Sequence, residues 1–261
     1  MNNVNKTLYI PLYGKSFVSK KGIILHDKKA EEIWDKESFS LKSKSKSKWL
    51  AYYMGMRSAV FDQWLTEQIC QTPDVAVLHI GCGLDSRCLR VCVPVQSWYD
   101  IDFPEVIAER KRFYKETNIY HMIAIDARDT ALLDLIPRCE NAIIVMEGIS
   151  MYMQLEELTS VLKRLTAHFT NVRILLDCYT EFAAKASKYK NPINEVGVTK
   201  VYGINDSLVL TTDTKLHFVQ EHTMTPSSMI EQLDKSERTI FKILYGGEIA
   251  KKMYRLYEFR K

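Results

Sequence analysis

The chain has 261 residues, 46% of them hydrophobic and 26% charged, and its 36 basic and 32 acidic side chains leave a formal net charge of +4. That length supports one large α/β core or two small ones, and so mild a charge does not by itself call for nucleic acid. No apolar stretch approaches the roughly 18 residues of a membrane span, the N-terminus carries no signal-like segment, and the six cysteines include no C-x-x-C pair, so a reduced, soluble, cytoplasmic protein is expected.

Residues 1–48 read as polar and irregular, apart from a short helix over "DKKAEEIWDK" (27–36). At their end Lys42, Lys44, Lys46 and Lys48 alternate with serines. This run reads first as a solvated loop and second as an anion-binding or phosphorylatable arm. From Trp49 to Cys70, Tyr52, Met56, Ala59, Val60, Gln63 and Trp64 recur at steps of three and four, the spacing of a helix face. "VAVLHI" (75–80) reads as a buried strand, and about two helical turns fit 85–91. "VQSWYDID" (95–102) is a second strand, and Pro104 opens an amphipathic helix with acids early and bases late. "IYHMIAID" and "NAIIVMEG" are third and fourth strands ending at Asp126 and Glu147. The helix "LEELTSVLKRLTAHF" and a fifth strand, "NVRILLDCYT", follow. Beyond it the pattern weakens. A helix and loop near 180–205 are placed to form a lid, "LHFVQEHTM" reads as a strand, Thr225-Pro226 opens a helix through Leu233, and "YRLYEFRK" is a closing strand.

Strands alternating with helices imply βαβ units, right-handed crossovers and a doubly wound, mainly parallel sheet. In such sheets ligands bind beyond the carboxyl ends of the strands, at the switch point. The stretch "VLHIGCGLDSRCLRV" places Gly81 and Gly83 at that edge. A dinucleotide fingerprint requires a third glycine where Ser86 stands, and no Gly-Lys-Ser/Thr follows for a P-loop. Two readings remain, an ordinary strand-to-helix turn and a backbone cradle. An acid at the next strand end, Asp102, suits a ribose without a pyrophosphate, which is the anatomy of S-adenosylmethionine. Asp126, with Ala127, then falls where an adenine amino group would be met, and Glu147 where the positive end of a methionine would be met. Asp100 is a second candidate for the ribose role. Three acids at consecutive strand ends on one edge favour the cradle over the turn. A metal site on Cys82, Cys88 and Cys92 lacks the paired spacing of zinc ligands, and buried cysteines are ordinarily small hydrophobes.

Five ordered segments resemble the leucine carboxyl methyltransferase family: "TLYIPLYGKS…HDKKA", "MRSAVFDQWL", "LHIGCGLDSRCLRV", "WYDIDFPEVI" and "VMEGISMYM". The likeness leans toward the family's bacterial branch acting on polyketide-like small molecules. It is clear over about residues 7–180 and weak beyond. It implies a class I methyltransferase-type (Rossmann-like) fold, with a seven-stranded sheet and an antiparallel last strand. Residues 1–70 would be a cap with its leading helix, and 71–261 the S-adenosylmethionine-binding domain, in one structural unit. It also implies an O-methyltransferase that leaves S-adenosylhomocysteine as product. Arg57 matches the family's arginine for the cofactor carboxylate, a role suited to a two-pronged guanidinium. Lys15 falls near a second basic position, and Tyr152 near the methyl acceptor. Two departures stand out: His79 and Cys82 replace smaller or more apolar residues, and "DARDTALL" lacks a tryptophan common there.

The acceptor is expected to be a small molecule or peptide bearing a carboxylate or a hydroxyl, on a monomeric or homodimeric enzyme that binds neither nucleic acid nor membrane. A carboxylate, with a pKa near ~4, needs no general base, whereas a phenol near ~10 gains from one. No histidine stands evidently opposite the methyl group, though His217 or His222 could fold over the site. A non-catalytic S-adenosylmethionine or nucleotide sensor with the same fold is the alternative reading. Nucleic-acid methylation is disfavoured, since the fourth strand is not followed by an N/D-P-P-Y/F segment.

Overall fold

Among the residues described by the computed structural model (5–36, 41, 45–72, 74–187 and 200–261), seven strands form one sheet. They are β1 (Val75–Ile80), β2 (Ser97–Asp102), β3 (Tyr120–Ala124), β4 (Asn141–Met146), β5 (Asn171–Tyr179), β6 (His217–His222) and β7 (Tyr254–Arg260). Their order in space is β3-β2-β1-β4-β5-β7-β6. The first five are mutually parallel, and β7 runs antiparallel to both β5 and β6. This is the doubly wound, mainly parallel sheet with an antiparallel last strand that the sequence predicts. The order reverses at β1, which lies between β2 and β4 and so marks the switch point.

β1 is buried along its whole length, and apolar except for His79, because both of its faces are covered. Ala76, Leu78 and Ile80 join the core beneath α6 (Leu155–His168), while Val75 and Val77 join the core beneath α3 (Lys48–Cys70). The long helix from Trp49 is therefore present and buried on most sides. α2 (Lys28–Lys36) is also as expected, with Asp27 accepting at 2.8 Å from the Ala30 N–H, as an N-cap does.

The N-terminal reading needs correction. Tyr9–Lys20 is an α-helix, α1, and not irregular chain. Pro11 sits in its first turn, where a missing N–H costs no helical bond. Gly14 lets α1 lie close to α3, since a Cβ there would fall 2.7 Å from the Met54 Cβ. The pattern of α1 is hard to read because its buried face includes Gly14, Lys15, Ser16 and Ser19.

Two later helices are shorter than expected. α4 is a single turn (Arg87–Arg90), preceded by Asp85 and Ser86, whose side chains pair with Lys15, Arg90 and Asp27. α5 (Pro104–Arg110) ends on the first residue of the basic run. After α7 (Glu181–Ala186), the lid expected near 180–205 falls in part on 188–199, outside the described residues, as do Lys42 and Lys44 of the lysine run. Thr225 caps no helix. Its hydroxyl donates to the Tyr245 carbonyl at 3.3 Å, and α8 (Ser227–Ile230) follows Pro226. The helices α9 (Lys235–Tyr245) and α10 (Gly247–Met253) were not expected. The closing strand β7 is correct in type, but it inserts between β5 and β6.

Candidate active site

A cavity of about 830 Å³ opens over the carboxyl ends of β1, β2 and β4. Its floor is polar. Gly81 (φ +75°) and Gly83 (φ +52°) turn the chain out of β1 in the left-handed region that disfavours side chains. A Cβ at Gly81 would collide with the Ile149 side chain. Gly148 (φ +72°) makes the matching turn after β4, and a Cβ there would sit 3.3 Å from an Arg57 guanidinium nitrogen. The backbone is thus bare where the cavity meets both strand ends.

Asp102 ends β2 with its carboxylate held by two amides. Gly83 N–H donates to Oδ2 at 2.8 Å and Phe103 N–H to Oδ1 at 2.8 Å. Burial nevertheless raises its pKa to about 6, against those two bonds. Asp126 lies just past β3 and is gripped by Arg128, at 3.0 Å from Nε and 2.6 Å from a terminal nitrogen. Burial alone would raise its pKa, but the Arg128 side chain and amide bring it below the ordinary value. Ala127 beside it is buried in the core under α6.

Glu147 follows β4. It accepts from Arg57 Nε at 2.9 Å on one oxygen and from Arg87 on the other. Burial works to raise its pKa, yet the two guanidinium groups hold it at about 2. Arg57 reaches Asp177 on β5 as well, at 3.2 Å. Arg87 is fully buried and also donates to Asp62 at 2.7 Å and to His79 Nε2 at 2.9 Å. Lys15 of α1 pairs with Asp85 at 2.9 Å, and Asp85 meets Arg90 at 2.7 Å. Around Glu147 the floor is therefore a buried lattice of alternating charges that joins the cap helices to the ends of β4 and β5, while Asp102 and the partly exposed Asp126–Arg128 pair stand outside it.

Of the residues expected to form the site, Lys15, Arg57, Gly81, Cys82, Gly83, Asp102, Asp126, Ala127, Glu147 and Tyr152 all line this one cavity. Asp100 does not. It is fully buried one step deeper on β2, where Arg110, the Tyr120 hydroxyl and the Trp98 indole N–H surround it. His217 and His222 lie on β6 and are absent from the lining. His79 is the lining histidine among the described residues. Arg87 donates to its Nε2, and its Nδ1 lies 3.2 Å from Asp100. Burial lowers its pKa, so the ring is neutral. Among the described residues no group of three or more His, Cys, Asp or Glu is arranged to hold a metal ion.

Sequence reasoning missed Asp177, although it stands at the end of a fifth strand on the same edge as the three acids it did weigh. It also missed the second wall of the cavity. Around the expected Tyr152, the side chains of Trp49, Tyr53, Met54, Met151, Tyr179, Met253 and Tyr254 make that wall aromatic and thioether-rich. No single local motif gathers them, since they come from α3, the segment after β4, the ends of β5 and α10, and the start of β7.

A profile of the leucine carboxyl methyltransferases matches residues 3–166. The chain belongs to the leucine carboxyl methyltransferase family. Within reach of that family, the tetracenomycin polyketide synthesis O-methyltransferase of Streptomyces glaucescens is 27% identical over 246 residues, covering 92% of this chain and 90% of its own. An S-adenosyl-L-methionine-dependent methyltransferase of Gibberella zeae is 28% identical over 135 residues, covering 48% and 45%. In fold, the chain is similar to the magnesium protoporphyrin IX methyltransferase of Synechocystis, solved with S-adenosylhomocysteine. There the TM-score is 0.53 at 11% identity, over 98% of this chain and 99% of that one. Membership of the leucine carboxyl methyltransferase family makes the protein a methyltransferase and S-adenosylmethionine its cofactor. The bare turns at Gly81, Gly83 and Gly148 and the strand-end acids fit such a molecule, which needs close backbone approach and hydrogen-bond acceptors for ribose and amine.

Proposed function

We propose that this enzyme methylates a carboxylate oxygen of a small, largely apolar acid of polyketide-like character. One observation carries the reading: among the described residues lining the cavity, no histidine is free to act as a general base. His79 is neutral and fully buried, with Nε2 taken by Arg87 and Nδ1 3.2 Å from the Asp100 carboxylate. A carboxylate needs no such base, because it is already ionised at neutral pH, whereas a hydroxyl acceptor would have to lose its proton. The aromatic and methionine wall suits a flat apolar body. Burial raises the Tyr53, Tyr152 and Tyr254 hydroxyls above the ordinary phenol value, so none of them is a ready base either. The role of the S. glaucescens relative in polyketide synthesis supports the substrate class.

In this reading Asp102 accepts from the ribose hydroxyls, and Asp126 with the Ala127 amide meets the adenine. Arg57, aided by Lys15, holds the cofactor carboxylate, and Glu147 faces its ammonium group. Gly81, Cys82 and Gly83 form the backbone floor, while Tyr152 faces the acceptor and Asp100 only stiffens β2. S-adenosylmethionine, when bound, supplies a methyl carbon activated by its sulfonium. The protein's part is then to hold the acceptor oxygen in line with that carbon, and such positioning is worth up to ~7–11 kcal/mol. Residues 1–70 act as a cap on a 71–261 catalytic unit, with 180–205 as lid. We place the enzyme in the cytoplasm as a monomer or homodimer, consistent with six free cysteines and with the lack of any helix long and apolar enough to cross a membrane among the described residues.

The test uses cofactor carrying a labelled methyl group against a panel of aromatic carboxylic acids and phenols. Label that mild alkali releases as methanol marks an ester and supports the proposal. Label that survives as an ether overturns the carboxylate assignment.

A further inference from the structure

Asp177 is fully buried at the end of β5, and the mechanism above gives it no task. Its neighbours are specific. Oδ1 accepts from the Gly148 N–H at 2.6 Å, and Oδ2 accepts from the Arg57 terminal nitrogen at 3.2 Å. Its own backbone carbonyl accepts from the Ser150 hydroxyl. Asp177 therefore grips both the side chain assigned to the cofactor carboxylate and the left-handed turn beside it. Glu147 fixes the same guanidinium through Nε at 2.9 Å. Two carboxylates at different corners leave the fork one orientation, and the second terminal nitrogen lies on the side of Gly148, which lines the cavity. An arginine held by Glu147 alone could still swing about that single contact, because one bond fixes a position but not a plane.

We propose that Asp177 is a positioning residue, which clamps Arg57 and the Gly148 turn so that the guanidinium presents its free edge to the carboxylate of the cofactor. The inference rests on the assignment of Arg57 to that carboxylate. Burial raises the Asp177 pKa to about 6, against the pull of Arg57 and the Gly148 amide, so the group is charged at neutral pH. A buried charge of this kind costs stability on its own. Its retention at this spot is accounted for by the orientation it imposes.

The experiment compares two ligands on the full chain by calorimetry: S-adenosylhomocysteine and its decarboxylated analogue, which lacks only the carboxylate. Wild-type protein should prefer the first by about 100-fold, the scale of a charge-assisted bidentate contact. Asp177→Asn keeps the shape and should cut that preference at least tenfold while leaving the analogue's affinity within twofold. A purely structural role would weaken both ligands in parallel, and that result, or an unchanged preference, overturns the inference. If wild-type protein shows no preference, the Arg57 assignment fails first. If it binds neither ligand, the cofactor reading fails. Should Asp177→Asn not fold, Asp177→Ser removes the charge with a smaller side chain and gives the same readout. A preference cut tenfold with the analogue's affinity kept supports the proposal, and an unchanged preference overturns it.

Discussion

The two halves of the cavity are built on opposite principles. The floor is charged, and each of its carboxylates has a named donor: Arg57 and Arg87 on Glu147, Arg128 on Asp126, and two backbone amides on Asp102. The wall opposite is aromatic and thioether surface, in which Tyr53, Tyr179 and Tyr254 touch one another edge-on or tilted. A lattice of buried charge loses much when one member is removed, because its partner is left uncompensated. An apolar wall gives way gradually, in proportion to area lost. The floor should therefore be intolerant of change and the wall adaptable, as fits one fixed cofactor and a variable acceptor.

The sharpest way to break this contrast is Arg87→Met. It strips partners from Glu147 and Asp62 at once and should lower stability by about 3–5 kcal/mol, read as a shift in the urea midpoint. A loss under ~1 kcal/mol would mean that the lattice is not cooperative. Next comes Asp102→Ala, which should weaken S-adenosylhomocysteine on the order of 100-fold, from hydrogen bonds to a charged acceptor. The fold should survive, because the only donors lost to Asp102 are two amides at the cavity surface. Smaller again is the effect of pH. With its pKa raised to about 6, Asp102 is ionised above that pH and protonated below it. Cofactor affinity should be flat from pH 8 to 7 and then fall about tenfold per unit below 6. Glu147, held at about 2 by its arginines, adds no step in that range, whereas Asp177, also raised to about 6, adds a second one that Asp102→Asn leaves in place. The raised Asp102 also lowers stability as pH climbs from about 4 to about 6, since the unfolded chain ionises first. Asp102→Asn should flatten that decline while losing the binding. The smallest change is expected at the wall, where Trp49→Ala should raise the acceptor KM about fivefold, roughly 1 kcal/mol of lost apolar contact, and leave cofactor affinity within twofold.

The same contrast explains what could be read from the chain. The floor comes from short runs at strand ends, so "IGCGLDSR", "DIDFPEV" and "VMEGISMY" disclose it without reference to anything distant. The sheet was legible through β5 for the same reason, each βα unit carrying its own apolar run and turn. α1 was not, because its buried face is made of glycine, serine and a paired lysine, whose burial depends on Met54 and Asp85 far along the chain. The wall was not legible either. Tyr179 and Tyr254 are 75 residues apart in sequence and meet only because β7 pairs with β5. Asp85 and Asp177 were visible as acids, but their partners could be known only in three dimensions.

That β5–β7 pairing also sets an order of events in time. β1 and β2, β2 and β3, and β4 and β5 join across single crossovers, whereas β1 meets β4 across 66 residues and β5 finds β7 only by closing a loop of 75 residues or more. Such a closure costs about 4 kcal/mol of chain entropy before any contact repays it. β6, whose sole neighbour in the sheet is β7, must wait for it. During refolding the amides of β2 and β3 should gain protection from hydrogen exchange before those of β7. The Gly81 and Asp102 side of the cofactor floor would then exist before the tyrosine wall does, and the capacity to choose an acceptor would be the last property the molecule acquires.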